Sequence, residues 1–332
     1  MTAAAPASRD AASAIPLTVI GGFLGAGKTT LVNSLLAQAE GRRLVVLVND
    51  FGALSIDGAL LAARGARTVC LANGCVCCTL VGGLAQALLD VLRLDPPPEQ
   101  VLVEASGVSD PRRIAQIARA DRSFAQDATV VLAAADQIEA LAADRHVGDT
   151  VLRQLAAAEL LVLNKRDLVS EGEARRIRAW LRELSPAAPI VEAVGADLPC
   201  DVVLGPARGA LAPHEPGAEG GAQPSARHRD HGHVFATRTF RSSRPVREGA
   251  LLRALEAPPE AVLRAKGLVR FDTAPQTVQL VQAVGRRWSV SQAPASLAGT
   301  ESVLVIVGAT DALATADLRA LEDAFSPPAI RR

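Results

Sequence analysis

The chain contains no tyrosine, and aromatic residues make up only 3% of its 332 residues. Proteins that stack nucleic-acid bases need aromatic side chains at their surface, so a base-stacking platform is not expected. Lysine plus arginine and aspartate plus glutamate both total 35, which gives a formal net charge of zero. Nothing in this balance attracts nucleic acid or acidic membranes. We therefore expect neither a nucleic acid nor a membrane as a partner.

Long apolar runs are also absent. No stretch approaches the roughly eighteen apolar residues of a membrane span. Residues 1–15 are small and polar, without the apolar segment of a signal peptide, and are predicted to be a disordered lead-in. The five cysteines do not resemble a secreted disulfide framework, because three of them fall within four positions. These features predict a soluble, cytoplasmic protein.

The length of 332 residues suits two domains, and a hydrophobic content of 49% is ordinary for globular cores. The composition changes near residue 205 and becomes rich in glycine, proline, alanine, serine and histidine. We predict a first domain over residues 16–204, a flexible histidine-containing linker over residues 205–232, and a second domain over residues 233–327.

Apolar, strand-like runs alternate with helix-like stretches through the first domain. Continuous rather than alternating apolar strands indicate a mostly parallel sheet flanked by helices, which is an α/β fold. The predicted strands are 17–20, 43–48, 100–103, 129–134, 160–163 and 189–191, and the predicted helices are 31–39, 80–94, 111–120, 150–158 and 171–184. Ser170 and Glu173 form a predicted capping box for the last helix.

The second domain is predicted to be smaller and of α+β class, with a mostly antiparallel sheet. Its predicted strands are 234–240, 268–271, 277–284, 288–290 and 302–307, and its predicted helices are 245–255 and 311–324.

A glycine-rich segment, Gly21–Thr30, matches the phosphate-binding pattern G-x-x-x-x-G-K-[ST] between a predicted strand and a predicted helix. Backbone N–H groups and the positive end of the helix dipole would converge there on one anion. Lys28 is predicted to reach the β- and γ-phosphates, and Thr29 to offer its hydroxyl to Mg²⁺. The predicted nucleotide-binding residues of this segment are Gly22, Gly25, Ala26, Gly27, Lys28, Thr29 and Thr30.

An apolar strand ending in a carboxylate, Val101–Glu104, follows about eighty residues later. Glu104 is predicted to hold Mg²⁺ through water or to orient the attacking water, so Lys28 and Glu104 are the candidate catalytic residues. Gly107 is predicted to bring its N–H near the γ-phosphate.

The sequence Asn164-Lys165-Arg166-Asp167 is an N-K-x-D pattern at the end of another apolar strand. Asp167 can accept two hydrogen bonds from guanine, whereas adenine lacks that pair of donors. Asn164 is predicted to support the loop, and the stem of Lys165 to cover the base. These residues predict that the nucleotide is GTP.

Three thiols lie within four residues in Asn73–Thr79. Cys75, Cys77 and Cys78 can converge on one soft or borderline cation, and thiolates favour Zn²⁺ with Co²⁺ as a second choice. Three protein ligands would leave a fourth position open. The alternative interpretation is a redox-sensing thiol cluster.

Two further segments are weaker candidates. Asp50 ends the second predicted strand, where an acidic residue can approach Mg²⁺, although a capping role is nearly as consistent with its position. His228, His231 and His233 lie in the linker, where they either bind metal or are incidental.

Taken in this order, the motifs resemble those of the CobW family of P-loop GTPases, with Glu104 in place of the usual Asp. The run Val262–Phe271 is similar to the family's C-terminal domain. The resemblance implies a metallochaperone that binds zinc or cobalt through Cys75, Cys77 and Cys78 under control of the nucleotide. It also implies a client metalloprotein or metal-insertion enzyme as the partner.

The working hypothesis is a GTP-hydrolysing metallochaperone with GTP, Mg²⁺ and Zn²⁺ or Co²⁺ as cofactors, and a homo-oligomer is possible. Two alternatives stay open: a GTP-dependent assembly factor whose thiols sense redox state, and a P-loop kinase of a small molecule.

Overall fold

The computed structural model describes residues 14–39, 42–48, 67–70, 79–211, 234–293 and 301–326. These residues form two sheets, one of seven strands and one of five. Among them, no helix has the length and apolar character needed to cross a bilayer.

The first sheet is parallel throughout, which confirms the predicted α/β class. Its strands are β1 (Ile15–Gly22), β2 (Leu44–Val48), β3 (Arg67–Cys70), β4 (Gln100–Glu104), β5 (Phe124–Ala134), β6 (Leu160–Asn164) and β7 (Ile190–Glu192). The spatial order is β3-β2-β4-β1-β5-β6-β7. Because all seven strands run the same way, their carboxyl ends share one edge of the sheet.

Helices cover both faces of this sheet. They are α1 (Lys28–Gln38), α2 (Thr79–Leu92), α3 (Pro111–Ala120), α4 (Ile138–Ala143), α5 (Gly148–Leu155), α6 (Glu171–Leu184) and α7 (Cys200–Leu204). Successive residues of β1 serve opposite faces: Val19 packs into one apolar cluster and Ile20 into another. The predicted capping box of α6 is confirmed, since Ser170 and Glu173 each bond the other's backbone N–H.

The second sheet is antiparallel, with the order β11-β10-β9-β12-β8. Its elements are β8 (Phe235–Ser242), α8 (Glu248–Glu256), β9 (Val262–Arg270), β10 (Val278–Val284), β11 (Arg287–Gln292), β12 (Ser302–Ala309), α9 (Thr310–Thr315) and α10 (Arg319–Phe325). Helices α8, α9 and α10 pack on one face of it around Leu251, Leu313 and Leu321. This confirms the predicted α+β domain.

The single helix predicted over residues 311–324 is wrong. The structure divides it into α9 and α10, because Ala316 is extended (φ −64°, ψ 140°). Asp317 favours the break, since its carboxylate accepts a hydrogen bond of 3.1 Å from the backbone N–H of Arg319. Aspartate competes for backbone donors in this way and so tends to start helices rather than continue them.

The predicted segment boundaries lie inside packed structure at two places. Ile15, assigned to the lead-in, begins β1 and is 2% exposed. Residues 205–211, assigned to the linker, include a short 3-10 helix, Arg208–Leu211, and Leu211 is buried against the second sheet. Small and turn-forming residues predict a linker from composition alone, but the buried leucine anchors this part. Residues 1–13 and 212–233 lie outside the described residues.

The two domains share a core and a buried polar cluster. Leu263 and Val307 of the second sheet pack into the same apolar cluster as Ile20. At the amino-terminal edge of the first sheet, Asp127 accepts hydrogen bonds of 2.9 Å from Thr18, Gln100 and Arg264.

The pKa of Asp127 reflects this setting. Burial alone would raise the pKa, but Arg264, Lys266 and the Thr18 hydroxyl outweigh burial and hold the pKa below its ordinary value. Asp127 is therefore an ionised carboxylate that joins the first sheet to the second.

Candidate functional site

The phosphate-binding segment forms a turn between β1 and α1. Gly27 precedes the helix in the left-handed conformation, with φ 101°. A Cβ added at Gly27 would lie 2.4 Å from Nδ2 of Asn164, so a larger residue would meet the N-K-x-D segment. The turn thus has the backbone that the sequence predicts, and it lies directly against β6.

Lys28 is the first residue of α1 and is 9% exposed. Its Nζ donates a hydrogen bond of 3.2 Å to the backbone oxygen of Phe23, which lies in the same turn. The ammonium group is thus held over the turn, where a phosphate bound by the backbone N–H groups would meet it.

Thr29 and Glu104 meet at the carboxyl edge of the sheet. The Thr29 hydroxyl donates a hydrogen bond of 2.6 Å to Oε1 of Glu104, which is 6% exposed. A hydroxyl that donates its proton keeps its lone pairs as acceptors. The pair therefore presents oxygen donors of the kind that Mg²⁺ prefers, and the residues present fit this ion.

The loop after β4 packs on the phosphate-binding turn. A Cβ at Gly107 would lie 3.0 Å from the backbone nitrogen of Leu24 and closer still to its side chain, so a larger residue here would require Leu24 to shift. The loop is held from the other side by Gln154 of α5, whose Nε2 donates to the oxygens of Gly107 at 3.0 Å and Ser109 at 2.9 Å. Sequence reasoning missed Gln154, because it lies 47 residues from Gly107 and belongs to no motif.

Asn164 links three segments of the site. Its Nδ2 donates to the oxygen of Ala26 at 2.9 Å, and its Oδ1 accepts from the N–H of Ala196 at 2.7 Å. Asn164 is 2% exposed, so these two bonds fix its amide between the phosphate-binding turn and the loop after β7. The predicted supporting role of this asparagine therefore has a defined geometry.

Ala196 is a second residue that sequence reasoning missed. It follows β7 and has a left-handed backbone, with φ 54°, which is uncommon for alanine. Its position after the carboxyl end of a parallel strand was the available signal, since ligands bind at that edge.

The other two residues of the N-K-x-D segment lie beside Asn164. Lys165 has φ 58°, and its Nζ lies 3.8 Å from Oδ1 of Asp136. Asp167 is exposed in the short helix Arg166–Leu168. The conformation of Lys165 turns the chain sharply after β6, and Asp167 stays accessible to a ligand.

Several predicted site residues lie outside the described residues. They are Asp50, Cys75, Cys77, Cys78, His228, His231 and His233. Within the described ranges, no group of three or more histidine, cysteine, aspartate or glutamate residues has the arrangement of a metal site. Cys200 is buried, and burial raises the pKa of its thiol to about 11, as expected for an ordinary core residue rather than a ligand.

Comparison with protein families gives the family of both domains and describes the first as nucleotide-binding. A family model described as "CobW/HypB/UreG, nucleotide-binding domain" matches residues 16–192. A second, described as "Cobalamin synthesis protein cobW C-terminal domain", matches residues 235–325. The chain belongs to the CobW/HypB/UreG family. Both matched ranges correspond to the two domains described above.

Named relatives are similar over different parts of the chain. "Zinc chaperone CobW" of Pseudomonas aeruginosa is 33% identical over 317 residues, covering 82% of this chain and 81% of that protein. "Zinc chaperone YjiA" of Escherichia coli is 31% identical over 194 residues, covering 55% of this chain and 59% of that protein. The crystal structure of Zn(II)-bound YjiA GTPase from E. coli aligns with a TM-score of 0.42 at 20% identity, covering 94% of this chain and 99% of that one.

Proposed function

We propose that this chain is a GTP-hydrolysing zinc chaperone. It binds zinc, or cobalt as a second choice, at Cys75, Cys77 and Cys78 and delivers the metal to a client metalloprotein under control of the nucleotide. The family match and the zinc chaperones among its relatives support this function. The structural observation that carries the GTP-hydrolysing part of this function is the hydroxyl–carboxylate pair of Thr29 and Glu104 at the carboxyl edge of the first sheet.

The nucleotide phosphates lie against the turn 22–27 and the start of α1. Backbone N–H groups of Gly25, Gly27 and Thr30 would face the phosphate oxygens, and the helix dipole adds to their attraction. The N–H of Ala26 donates to the oxygen of Phe23 at 3.2 Å, which closes the turn that surrounds the phosphates. Lys28 balances charge on the β- and γ-phosphates, and its burial strengthens that interaction because little water screens it.

Magnesium, when bound, neutralises charge on the phosphates. Thr29 and Glu104 would hold it, and Asp50 is a further ligand candidate outside the described residues. The alternative role of Glu104 is to accept a hydrogen bond from the attacking water and orient it, instead of holding the ion through a water. The water oxygen bonds to the γ-phosphorus and the bond from that phosphorus to the bridging oxygen breaks. GDP leaves with the electron pair, and the proton of the water passes to the phosphate released.

Guanine is selected by Asp167, with Asn164 and Lys165 completing the base site. The exposed carboxylate of Asp167 accepts from N1–H and the 2-amino group of guanine. Adenine would leave this acceptor without its donors, which disfavours ATP by about 1–3 kcal/mol. This preference also argues against the alternative of a small-molecule kinase.

The cysteine loop follows β3 in the chain. Residues 71–78 join the end of β3 to the start of α2, and β3 pairs in parallel with β2. The last residue of β3, Cys70, therefore lies at the same edge of the sheet as the phosphate-binding turn and Glu104, with β2 and β4 between β3 and β1. We infer that a change in the segments that contact the γ-phosphate alters the metal affinity of the thiolates.

Zinc stoichiometry tests the metal site. Wild-type protein, purified under reducing conditions and incubated with Zn²⁺, is expected to retain zinc that Cys75→Ser, Cys77→Ser and Cys78→Ser each lose. Cys200→Ala is the matched control, because that thiol is buried and donates to the oxygen of Leu35 at 3.4 Å. Metal analysis after gel filtration gives the readout.

The result also separates the alternatives. If Cys77→Ser retains the wild-type amount of zinc, the thiols do not form the metal site, and a redox-sensing role replaces it. If the wild type retains no zinc with either GTP or GDP, the chaperone function is wrong even where GTP hydrolysis persists.

A further inference from the structure

Lysine is scarce in this chain. Only three of its 35 basic residues are lysines, namely Lys28, Lys165 and Lys266, and the other 32 are arginines. A guanidinium group stays protonated in proteins, whereas a lysine amine can lose its proton and act as a nucleophile. The count covers the whole sequence, including the residues outside the described ranges. Chemistry at side-chain amines is therefore confined to three positions.

Two of these three lysines are shielded from solvent. Lys28 and Lys266 are each 9% exposed. Nζ of Lys28 donates a hydrogen bond of 3.2 Å to the backbone oxygen of Phe23. Lys266 lies near the ionised carboxylate of Asp127, which attracts it. Both amines are thus engaged within the fold, and a reagent in solvent has little access to either.

Lys165 differs from the other two in its exposure. Its side chain is 29% exposed, and its Nζ lies 3.8 Å from Oδ1 of Asp136. This separation is longer than an ordinary N–H···O hydrogen bond. The other carboxylate oxygen of Asp136 accepts from Nε2 of Gln137 at 2.9 Å. The ammonium group of Lys165 is therefore attracted by a half-buried carboxylate while it keeps contact with solvent.

The position of Lys165 links this amine to the proposed GTP site. Lys165 follows Asn164 at the carboxyl end of β6 and has a left-handed backbone. The Asn164 amide donates to the oxygen of Ala26 in the phosphate-binding turn. The most exposed lysine of the chain thus lies in the segment that we assign to the guanine base.

We propose that Lys165 is an acylation site at which an acyl phosphate blocks the binding of guanine nucleotides. The unprotonated Nζ attacks the carbonyl carbon of the acyl phosphate and forms an amide C–N bond. The bond from that carbon to the phosphate oxygen breaks, and phosphate leaves with the electron pair. The proton displaced from Nζ passes to the phosphate. The consequence for nucleotide binding rests on the proposed GTP site, whereas the selectivity for Lys165 does not.

Acylation changes both the charge and the size of the side chain. It removes the positive charge that faces Asp136 and adds an acyl group to the end of the lysine. The stem of Lys165 covers the base in the proposed site, so the added group occupies space that guanine needs. Bound nucleotide shields the amine in turn. Acylation and nucleotide binding therefore exclude each other, and the nucleotide-free protein is the form that is modified.

Peptide mass spectrometry after treatment with acetyl phosphate tests the proposal. The full chain is treated with and without GDP and Mg²⁺, and hydroxylamine then removes thioesters formed at cysteines. Lys165 should carry most of the acetyl groups found on lysines, and the peptide that contains the amino terminus is quantified separately. GDP at about ten times its Kd should lower the acetylation of Lys165 by roughly 10-fold, as its occupancy predicts.

An added lysine far from the proposed site is the matched control. Arg182 is exposed in the last turn of α6, which leads to the start of β7 at the amino edge of the sheet. The amine introduced by Arg182→Lys should be acetylated to the same extent with and without GDP. This control separates shielding by the nucleotide from an effect of GDP on the reagent.

Two substitutions at Lys165 test the consequence for binding. Lys165→Gln carries the neutral amide of the acylated state and should weaken GDP binding by roughly 10-fold, as expected for the loss of one charged contact. Lys165→Arg removes the nucleophile. Treatment with acetyl phosphate should therefore leave the GDP affinity of Lys165→Arg at its untreated value, while it reduces GDP binding by wild type in proportion to the modified fraction.

Three results would overturn the proposal. They are acetylation mainly at Lys28 or Lys266, acetylation of Lys165 that GDP does not reduce, and a loss of GDP affinity in treated Lys165→Arg. GDP binding by the untreated wild type is measured first. If the untreated chain does not bind GDP, the proposed GTP site is wrong, and the acetylation map still decides whether Lys165 is the reactive amine.

Discussion

At the carboxyl edge of the seven-stranded sheet, Lys28, Thr29 and Glu104 gather around a glycine-rich turn. At the amino edge, Asp127 and Arg264 lie 2.9 Å apart and bond to Thr18, Gln100 and the oxygen of Val203. The first group is suited to a phosphate and its cation. In the second group the polar side chains form hydrogen bonds with one another and join the two domains. Buried polar residues of one sheet thus serve binding at one edge and architecture at the other, so substitutions at the two edges should have different consequences.

Removing the carboxylate of Asp127 should have the largest effect on stability. Asp127→Ala leaves Arg264 buried without its partner, and loss of one member of a buried pair costs about 3–5 kcal/mol. Chemical denaturation should show this loss, while GDP affinity of the protein that remains folded stays near the wild-type value. Asp90→Ala removes a surface ion pair with Arg93 and should cost at most about 1 kcal/mol.

The pH dependence of stability sharpens this prediction. The pKa of Asp127 is lowered in the folded protein, so its contribution is present above the unfolded-state pKa and is lost as the pH falls through the folded-state pKa. The free-energy difference between wild type and Asp127→Asn should therefore decrease below about pH 4, near the ordinary pKa of aspartate. A difference that stays constant into strong acid would contradict an ionised Asp127.

Substitution of methionine for Lys28 and for Lys266 compares the two edges of the seven-stranded sheet directly. Lys28→Met should lower the kcat of GTP hydrolysis by about 10²–10³-fold, the usual cost of removing one charge-stabilising group. Lys266→Met, at the other edge, should leave kcat within about two-fold, because it lies far from the phosphates. Single-turnover assays at saturating GTP give the readout, and equal losses in the two variants would contradict the division of roles.

Gln154 should show a smaller, selective effect. Gln154→Leu removes two hydrogen bonds that hold the loop of Gly107, so the loop is positioned less well for the γ-phosphate. We expect kcat to fall by roughly 10-fold, about 1.4 kcal/mol, with the Kd for GDP unchanged.

Gln116→Leu, on the exposed side of α3, is the control for Gln154→Leu and should change neither kcat nor GDP affinity. A loss of GDP affinity equal to the loss of kcat in Gln154→Leu would indicate a general structural role instead of positioning.

Local patterns could be predicted from the sequence, and distant contacts could not. The turn at Gly27 and the carboxylate of Glu104 follow from short motifs between strands and helices, and the structure places both at one edge. The pairing of Asp127 with Arg264 spans 137 positions, and neither residue belongs to a motif. Long-range pairing of this kind depends on how two domains dock, and one sequence carries no local signal for it.

Short or irregular elements were not predicted from the sequence for a related reason. The strand β3, Arg67–Cys70, has only four residues, too few for an apolar pattern, and parallel pairing with β2 stabilises it. The break between α9 and α10 depends on one aspartate within a stretch that otherwise has helical spacing. In both cases a tertiary contact or a single helix cap, and not the spacing of apolar residues in the segment, determines the secondary structure.

The most direct test of the account is the zinc affinity of the full chain in two nucleotide states. A competition titration against a zinc chelator, performed under reducing conditions, should be carried out once with GDP and once with a non-hydrolysable GTP analogue. If the bound nucleotide controls zinc binding by the thiolates, the zinc dissociation constants in the two states should differ by about 100-fold, equivalent to about 2.7 kcal/mol. Equal zinc affinities in the two states would contradict the coupling.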